Sequence, residues 1–401
     1  MNNPYIYHKF FLLRDVLKIN KLIIRCFCRY IDVFSYLGAV PNDVIMKKTT
    51  VYRRPMDENL FEEELTIEAL SAMGNPLEQL SVLVDFEMFR PELEDILVKK
   101  DCKSTAGRPQ FDVVLMFKVI FLQRYYGLGD KQIQYQIIDR TSFRQFLGIH
   151  TVDEIPDEKT VWHVKNILSK AGTFDALFDK FRSYLDGKGL SFNEGKIIDA
   201  SFVEAPKQHN TREENEQIKS GKGKDLWNDK PHKKCHKDTD ARWTKKRGEK
   251  HYGYKLHAKA DKKTKLIEKY VTTDASVHDS NVIEPLIEEK DNGQPLYLDA
   301  GYEAKDDVVR ECGMIPVICE KGHRNHPLTD EQKQNNRQKS KIRCRVEHIF
   351  GFIEGAMNGS FVRSIGIVRA KAATALTCLV YNIFRYVQIN KYLPQLIASM
   401  G

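Results

Sequence analysis

Three acidic residues stand where the surrounding pattern gives them little structural reason to be. Asp199 interrupts the apolar start of KIIDASFVEA, and Asp299 ends the run PLYLDAGY. Glu347 lies in RCRVEHIFGFIEG, beside the stripe Val346, Ile349, Phe350 and Ile353. A carboxylate at the mouth of a core strand is costly unless something positive is close by. Two carboxylates forced together raise one another's pKa until a cation neutralises them. Oxygen ligands of this kind suit Mg²⁺, which takes one or two protein carboxylates together with substrate phosphate oxygens. A pair of such ions about 3.5–4 Å apart can activate an attacking oxygen and stabilise the leaving oxygen of a phosphodiester. Taken singly, each acid has a plainer reading: an Asp after a strand caps a turn or helix, and a Glu on an amphipathic helix is solvated. Asp279, in SVHDSN, is the main competitor and reads as an N-cap, with Glu204 and Asp274 as loop-edge residues.

The elements that must position these acids follow from periodicity. From about 58 to 185 the pattern is helical, with apolar residues three and four apart in NPLEQLSVLVDFEMFRPELEDILVKK and FDVVLMFKVIFLQRYYGL. Two shorter stretches, GDKQIQYQIIDRTSFRQFLGI and PDEKTVWHVKNILSKAG with Asp157 as N-cap, suit either a helix-turn-helix or an ordinary bundle. At 196 the period changes. KIIDASFVEA is a strand, and HYGYKLHAKAD and KLIEKYVTTD form a hairpin through DKKT. SNVIEPLIEE reads as helical, PLYLDA as a strand, EAKDDVVRECG as a helix ending at Gly313, and MIPVICE as a strand. Thr329 and Gln332 form a capping box for a helix running through Glu347, and AKAATALTCLVYNIFRYVQI is a last amphipathic helix. Three strands able to pair antiparallel, then strand–helix units that demand parallel crossovers, predict an α/β fold: a mixed sheet with flanking helices. In that order the first and fourth strands are neighbours, which sets Asp199 beside Asp299.

The bulk properties point the same way. The chain has 401 residues and a formal charge of +8, a mild bias toward a polyanionic partner. Lys and Arg crowd 219–255 and 333–345, which read as solvated loops or as DNA-backbone contacts. The eight cysteines form no CxxC pair, so a reducing cytoplasmic setting is the default. His232, Cys235 and His236 in PHKKCHK lack a second cluster, so no zinc site is expected. The first 45 residues are rich in apolar side chains. Lys9, Arg14, Lys18, Lys21, Arg25 and Arg29 interrupt them too often for a membrane span or a signal peptide. They read as an amphipathic surface helix, or as an extension upstream of a true start at Met46.

Several blocks, in order, resemble the bacterial insertion-sequence DDE transposases with a ribonuclease-H-like core. They are IIDAS, DTDARWTKKRGEKHYGYK, VTTDASVHDSNVIEPLI, LDAGY and RVEHIFG. The helical segments before them resemble that family's N-terminal domain, and the likeness covers roughly 70–390. The resemblance implies three parts: an extension over 1–45, a helical DNA-binding domain over 46–188, and a ribonuclease-H-like catalytic domain over 189–401 with a basic insertion at 205–250. It implies that Asp199, Asp299 and Glu347 are catalytic and hold two Mg²⁺ ions, for which Mn²⁺ can substitute. Lys255, Arg343 and Arg345 are then expected to contact DNA. The expected activity is metal-dependent cleavage at terminal inverted repeats and strand transfer into target DNA. The protein would act as a homo-oligomer on double-stranded DNA, at the nucleoid and without a membrane. The sequence departs from the family pattern twice: Ser340 stands where a Tyr is common, and Glu354 where a Lys is common. Two alternatives are a catalytically inactive DNA-binding relative, which the intact acids argue against, and a metal-independent hydrolase using paired carboxylates, which would not need the basic loops.

Overall fold

The computed structural model describes residues 61–98, 109–190, 193–246, 248–324 and 326–398; the expectations for the first 45 residues fall outside them. The helical region holds α1 (Glu62–Ala72), α2 (Pro76–Leu83), α3 (Arg90–Leu97), α4 (Val113–Tyr125), α5 (Asp130–Asp139), α6 (Thr141–Leu147), α7 (Glu158–Ala171) and α8 (Thr173–Gly187). Its centre is α4, apolar on nearly every side and almost wholly buried. Asp112 starts α4 by accepting from the N–H groups of Val114 and Leu115, two of the donors a helix leaves unpaired at its first turn. Asp157 caps α7 through Thr160 N, as its sequence predicts.

The second region begins with β1 (Lys196–Glu204) and continues through α9 (Arg212–Lys219) and the single turn α10 (Pro231–Lys234). Next come β2 (Arg242–Lys246), β3 (Glu249–Asp261), β4 (Ile267–Asp274), β5 (Pro295–Leu298), α11 (Asp306–Glu311) and β6 (Ile315–Ile318). Two long helices follow, α12 (Asp330–Gly355) and α13 (Ile367–Ala398). β3 pairs antiparallel with β1, β2 and β4, while β5 lies parallel between β1 and β6. With β2 as an added edge segment beside β3, three antiparallel strands (β1, β3, β4) followed by two parallel ones (β5, β6), with helices over the sheet, is the ribonuclease-H-like arrangement. β1 and β3 approach closely at Gly253, whose φ is +145° and where an added Cβ would lie 2.4 Å from the Val203 carbonyl oxygen.

The alternation along β3 decides what covers each face. Tyr252, Tyr254, Leu256, Ala258 and Ala260 join the main core with Val346, Ile349 and the buried stripe of α13. Lys255, His257 and Lys259 face the other way, and they too are buried. That face is covered by 3₁₀ turns at Asp279–Val282, Glu284–Leu286 and Glu289–Asp291. These replace the helix that SNVIEPLIEE suggests, because Pro285 removes a backbone donor and its ring blocks a continuous α-helix. β2 is a strand the pattern did not announce, since RWTKK carries too little apolar signal to be seen before it pairs with β3.

One hydrophobic core runs from Leu77 and Phe89 through α4 to β3, α12 and α13. The expected parts 46–188 and 189–401 thus share an interior over their described residues, within one compact unit from Leu60 to Gly401. Over Ile367–Lys391, α13 is apolar enough to cross a membrane by composition, yet it is mostly buried against α8, α7, α4 and β4. It is a core helix.

Candidate active site

β1 and β5 run parallel with Lys196 opposite Leu296 and Ile197 opposite Tyr297. Carrying that register two residues further sets Asp299 across from Asp199, as the strand order requires. Asp199 pairs across β3 with Ala258, so it shares its face with the main core, where α12 crosses β1 and β5. Residues directly opposite on paired strands point to the same side of a sheet, so both acids face α12.

From α12, Arg343 reaches down between the acids. One guanidinium nitrogen donates to Asp199 Oδ2 at 3.3 Å and the other to Glu347 Oε1 at 2.7 Å. Asp299 is also a cap: its Oδ1 accepts from Gly301 N at 2.8 Å and starts the 3₁₀ turn Ala300–Tyr302. The plainer reading of this residue, a turn cap, is what its Oδ1 does. Burial pushes the Asp199 carboxyl up to about 6. A hydrogen bond from Ala200 N opposes this, the charge of Asp299 adds to it, and Arg343 and Lys246 oppose it again. Behind the pair lies Tyr302, buried, its hydroxyl raised by burial and by the charges of Asp199, Asp279 and Asp299.

The remaining predicted residues occupy varied settings. Lys255 is almost fully buried; its ammonium donates to Asp279 Oδ1 at 2.9 Å and to the Val277 carbonyl at 2.7 Å. Asp279 is therefore an ion-pair partner of Lys255, while the side chain that caps its 3₁₀ turn belongs to His278. Arg345 donates to the Lys262 carbonyl at 2.6 Å. Glu354 is exposed two turns beyond Glu347 on α12, and Ser340 lies one turn before Arg343, near Cys319.

Sequence reasoning missed Asp238, which is buried and organises the basic insertion. It accepts from Tyr254 Oη at 2.7 Å, Asp240 N at 2.9 Å, Ala241 N at 3.0 Å and Gly366 N at 3.1 Å. Asp240 accepts from Ile367 N at the start of α13. The insertion is thus tied to both β3 and α13, a role that only its place within DTDARW could have hinted at. It is folded rather than an open loop. Glu214 receives Lys233 Nζ and Trp227 Nε1, and these bonds, with one from Thr211 N, draw its carboxyl down to about 2.

The acids offer hard oxygen donors, the set that suits Mg²⁺ or Mn²⁺. Asp199 fits such an ion, since burial and the nearby charge of Asp299 raise the cost of ionising it. Glu347 is turned toward Arg343. Among the described residues no three His, Cys, Asp or Glu side chains converge closely enough to hold a metal, and Arg343 supplies the compensating charge.

A ribonuclease-H-like sheet carrying Asp on its first strand, Asp after the neighbouring parallel strand and Glu on the covering helix is the framework of a DDE-type protein. Residues 191–383 match the family model described as Transposase DDE domain, and residues 65–166 match Transposase domain (DUF772). The chain belongs to the DDE transposases of insertion-sequence type. It is also similar to a piggyBac transposase solved by cryo-EM as a synaptic complex with hairpin DNA. That likeness has 10% identity and a TM-score of 0.40, over 79% of this chain and 75% of the other. The assignment rests on the two domain matches.

Proposed function

We propose that this transposase binds the terminal inverted repeats of a bacterial insertion sequence, cleaves DNA there and joins the freed end to target DNA. The observation that carries the reading is the side-by-side placement of Asp199 and Asp299 under an α12 that supplies Glu347 and Arg343. A divalent cation held by Asp199, Asp299 and Glu347 would supply Lewis-acid activation of the attacking oxygen and charge neutralisation at the phosphodiester. The chain's own residues do the rest. Asp199 and Asp299 are fixed by a strand pair and a capped turn, so their positions cost nothing to reorganise when substrate arrives. Arg343 offers a planar fork that matches a phosphate group. Residues 205–250 carry fourteen Lys and Arg against eight acids, an excess suited to the DNA backbone. Joining two ends calls for two protomers on one DNA complex, in the cytoplasm at the nucleoid.

The test is cleavage of a labelled duplex carrying the element's own end, with Mg²⁺ or EDTA, by wild type and by Asp299→Ala. Nicking at the element end that needs the cation and vanishes in the variant is expected. Cleavage that persists in EDTA or in Asp299→Ala would overturn the assignment of these acids. Specific binding without cleavage by wild type would favour the inactive DNA-binding relative.

A further inference from the structure

We infer that Arg343 is a latch that couples DNA binding to cation binding. The inference rests on the proposed metal site but adds a property that site does not by itself require. The guanidinium spans two of the three acids, donating to Asp199 on β1 and to Glu347 one helical turn along α12. It is largely buried between them, with its side chain 21% exposed, whereas the Glu347 side chain is 58% exposed. Glu347 therefore follows Arg343 outward rather than converging on Asp199 and Asp299, in keeping with the absence of a three-acid cluster among the described residues.

The same oxygens serve two competing cations. An arginine fork and a divalent ion cannot both occupy Asp199 Oδ2 and Glu347 Oε1, and their charges repel at such distances. A DNA phosphate offers the guanidinium a ligand that matches its bidentate geometry. When a phosphate takes Arg343, Glu347 is released toward the aspartates and Asp199 loses its organic counter-ion. The acids then become a ligand set for a divalent ion. Without DNA the latch is closed and the cation binds weakly; with DNA it opens and the cation binds tightly. Linkage makes the coupling reciprocal, so the cation must tighten DNA binding by the same factor.

The test measures Mn²⁺ binding rather than turnover. Free Mn²⁺ is titrated by electron paramagnetic resonance against the full chain at pH 8, with and without a duplex from the element's end. Wild type should gain about tenfold in Mn²⁺ affinity when the duplex is added, within the usual range of coupling between sites. Arg343→Gln should bind Mn²⁺ about tenfold more tightly than wild type without DNA and gain nothing further with it. Arg343→Lys should fall between, since an ammonium is a point charge that cannot bridge both acids. Equal Mn²⁺ affinity in folded Arg343→Gln and wild type would overturn the latch. A wild type whose Mn²⁺ affinity ignores the duplex it binds would also overturn it, and that arm needs no variant to fold. The two readings fail separately. Cation-dependent cleavage without coupling sinks only the latch, and coupling without cleavage sinks only the transposition chemistry.

Discussion

Lys259→Met is the perturbation whose size follows most directly from the structure. The Lys259 ammonium is wholly buried and donates to Asp291 at 2.5 Å and Glu288 at 2.8 Å, with Glu268 at 3.7 Å. Glu288 is also held by Arg182, and Glu268 by Lys196, each from a neighbouring element. Asp291 is fully buried, and apart from Lys259 its carboxylate has the Glu288 N–H at 2.9 Å. Methionine keeps most of the apolar stem while deleting the charge, so the buried Asp291 carboxyl loses its counter-ion. Breaking a buried pair in this way costs about 3–5 kcal/mol, a large share of the roughly 5–15 kcal/mol that a domain possesses. Urea denaturation followed by circular dichroism at pH 7.5 reads the loss as a lower midpoint at unchanged slope. Lys259→Met/Asp291→Asn removes the stranded carboxyl and should recover at least half of the loss. The acid limb supplies a second reading. Burial would raise the Glu288 carboxyl, but hydrogen bonds from Lys259 and Arg182 outweigh it and bring it to about 2. A depressed carboxyl contributes stability that is complete above its unfolded value near 4.5 and is lost as pH falls toward 2. That acid-side loss should shrink in Lys259→Met. A cost below about 1 kcal/mol, or a double variant no better than the single, would refute the claim that these charges hold each other in the interior.

Three further outcomes are expected. Asp199 is a raised carboxyl, so its contribution to the cation-free protein is complete below about 4 and is lost as pH climbs to about 6. Asp199→Asn should flatten that part of the stability profile, and wild-type Mn²⁺ binding should tighten as pH rises through 6, measured by titration. Asp238→Ala strands four donors in a buried site and should cost roughly 3 kcal/mol or more, with loss of hydrogen-exchange protection at Asp240, Ala241 and Gly366. Glu354→Lys should tighten DNA binding and steepen its salt dependence by about one counterion, whereas Glu354→Gln should recover only the removal of repulsion.

The sheet order and the two aspartates were legible because each is a local pattern: an apolar run that stops on an acid, and hairpin strands followed by strand–helix units. The caps at Asp157 and Thr329 were legible for the same reason, as short motifs whose hydrogen bonds span three residues. What stayed hidden is non-local. Nothing in HYGYKLHAKAD says that Lys255 and Lys259 are buried, because their partners Asp279, Glu288 and Asp291 lie more than twenty residues away. β2 becomes a strand only by pairing with β3, and the turns over 279–291 replace a helix because one proline outweighs an apolar period. Arg343 matches a family motif, but its bridge between Asp199 and Glu347 depends on α12 crossing β1, which no linear spacing records.

α13 has a consequence for how this chain is made. Its buried face seals the sheet against α4, α7 and α8, which are translated some two hundred residues earlier. As synthesis proceeds from the N-terminus, β3 and β4 emerge from the ribosome with their apolar face uncovered, and after α12 joins it that face stays only partly covered until residues beyond 367 follow. A nascent chain halted before that point holds Asp199, Asp299 and Glu347 but has no closed interior, and it should be a substrate for chaperones and proteases rather than a partly folded product that persists.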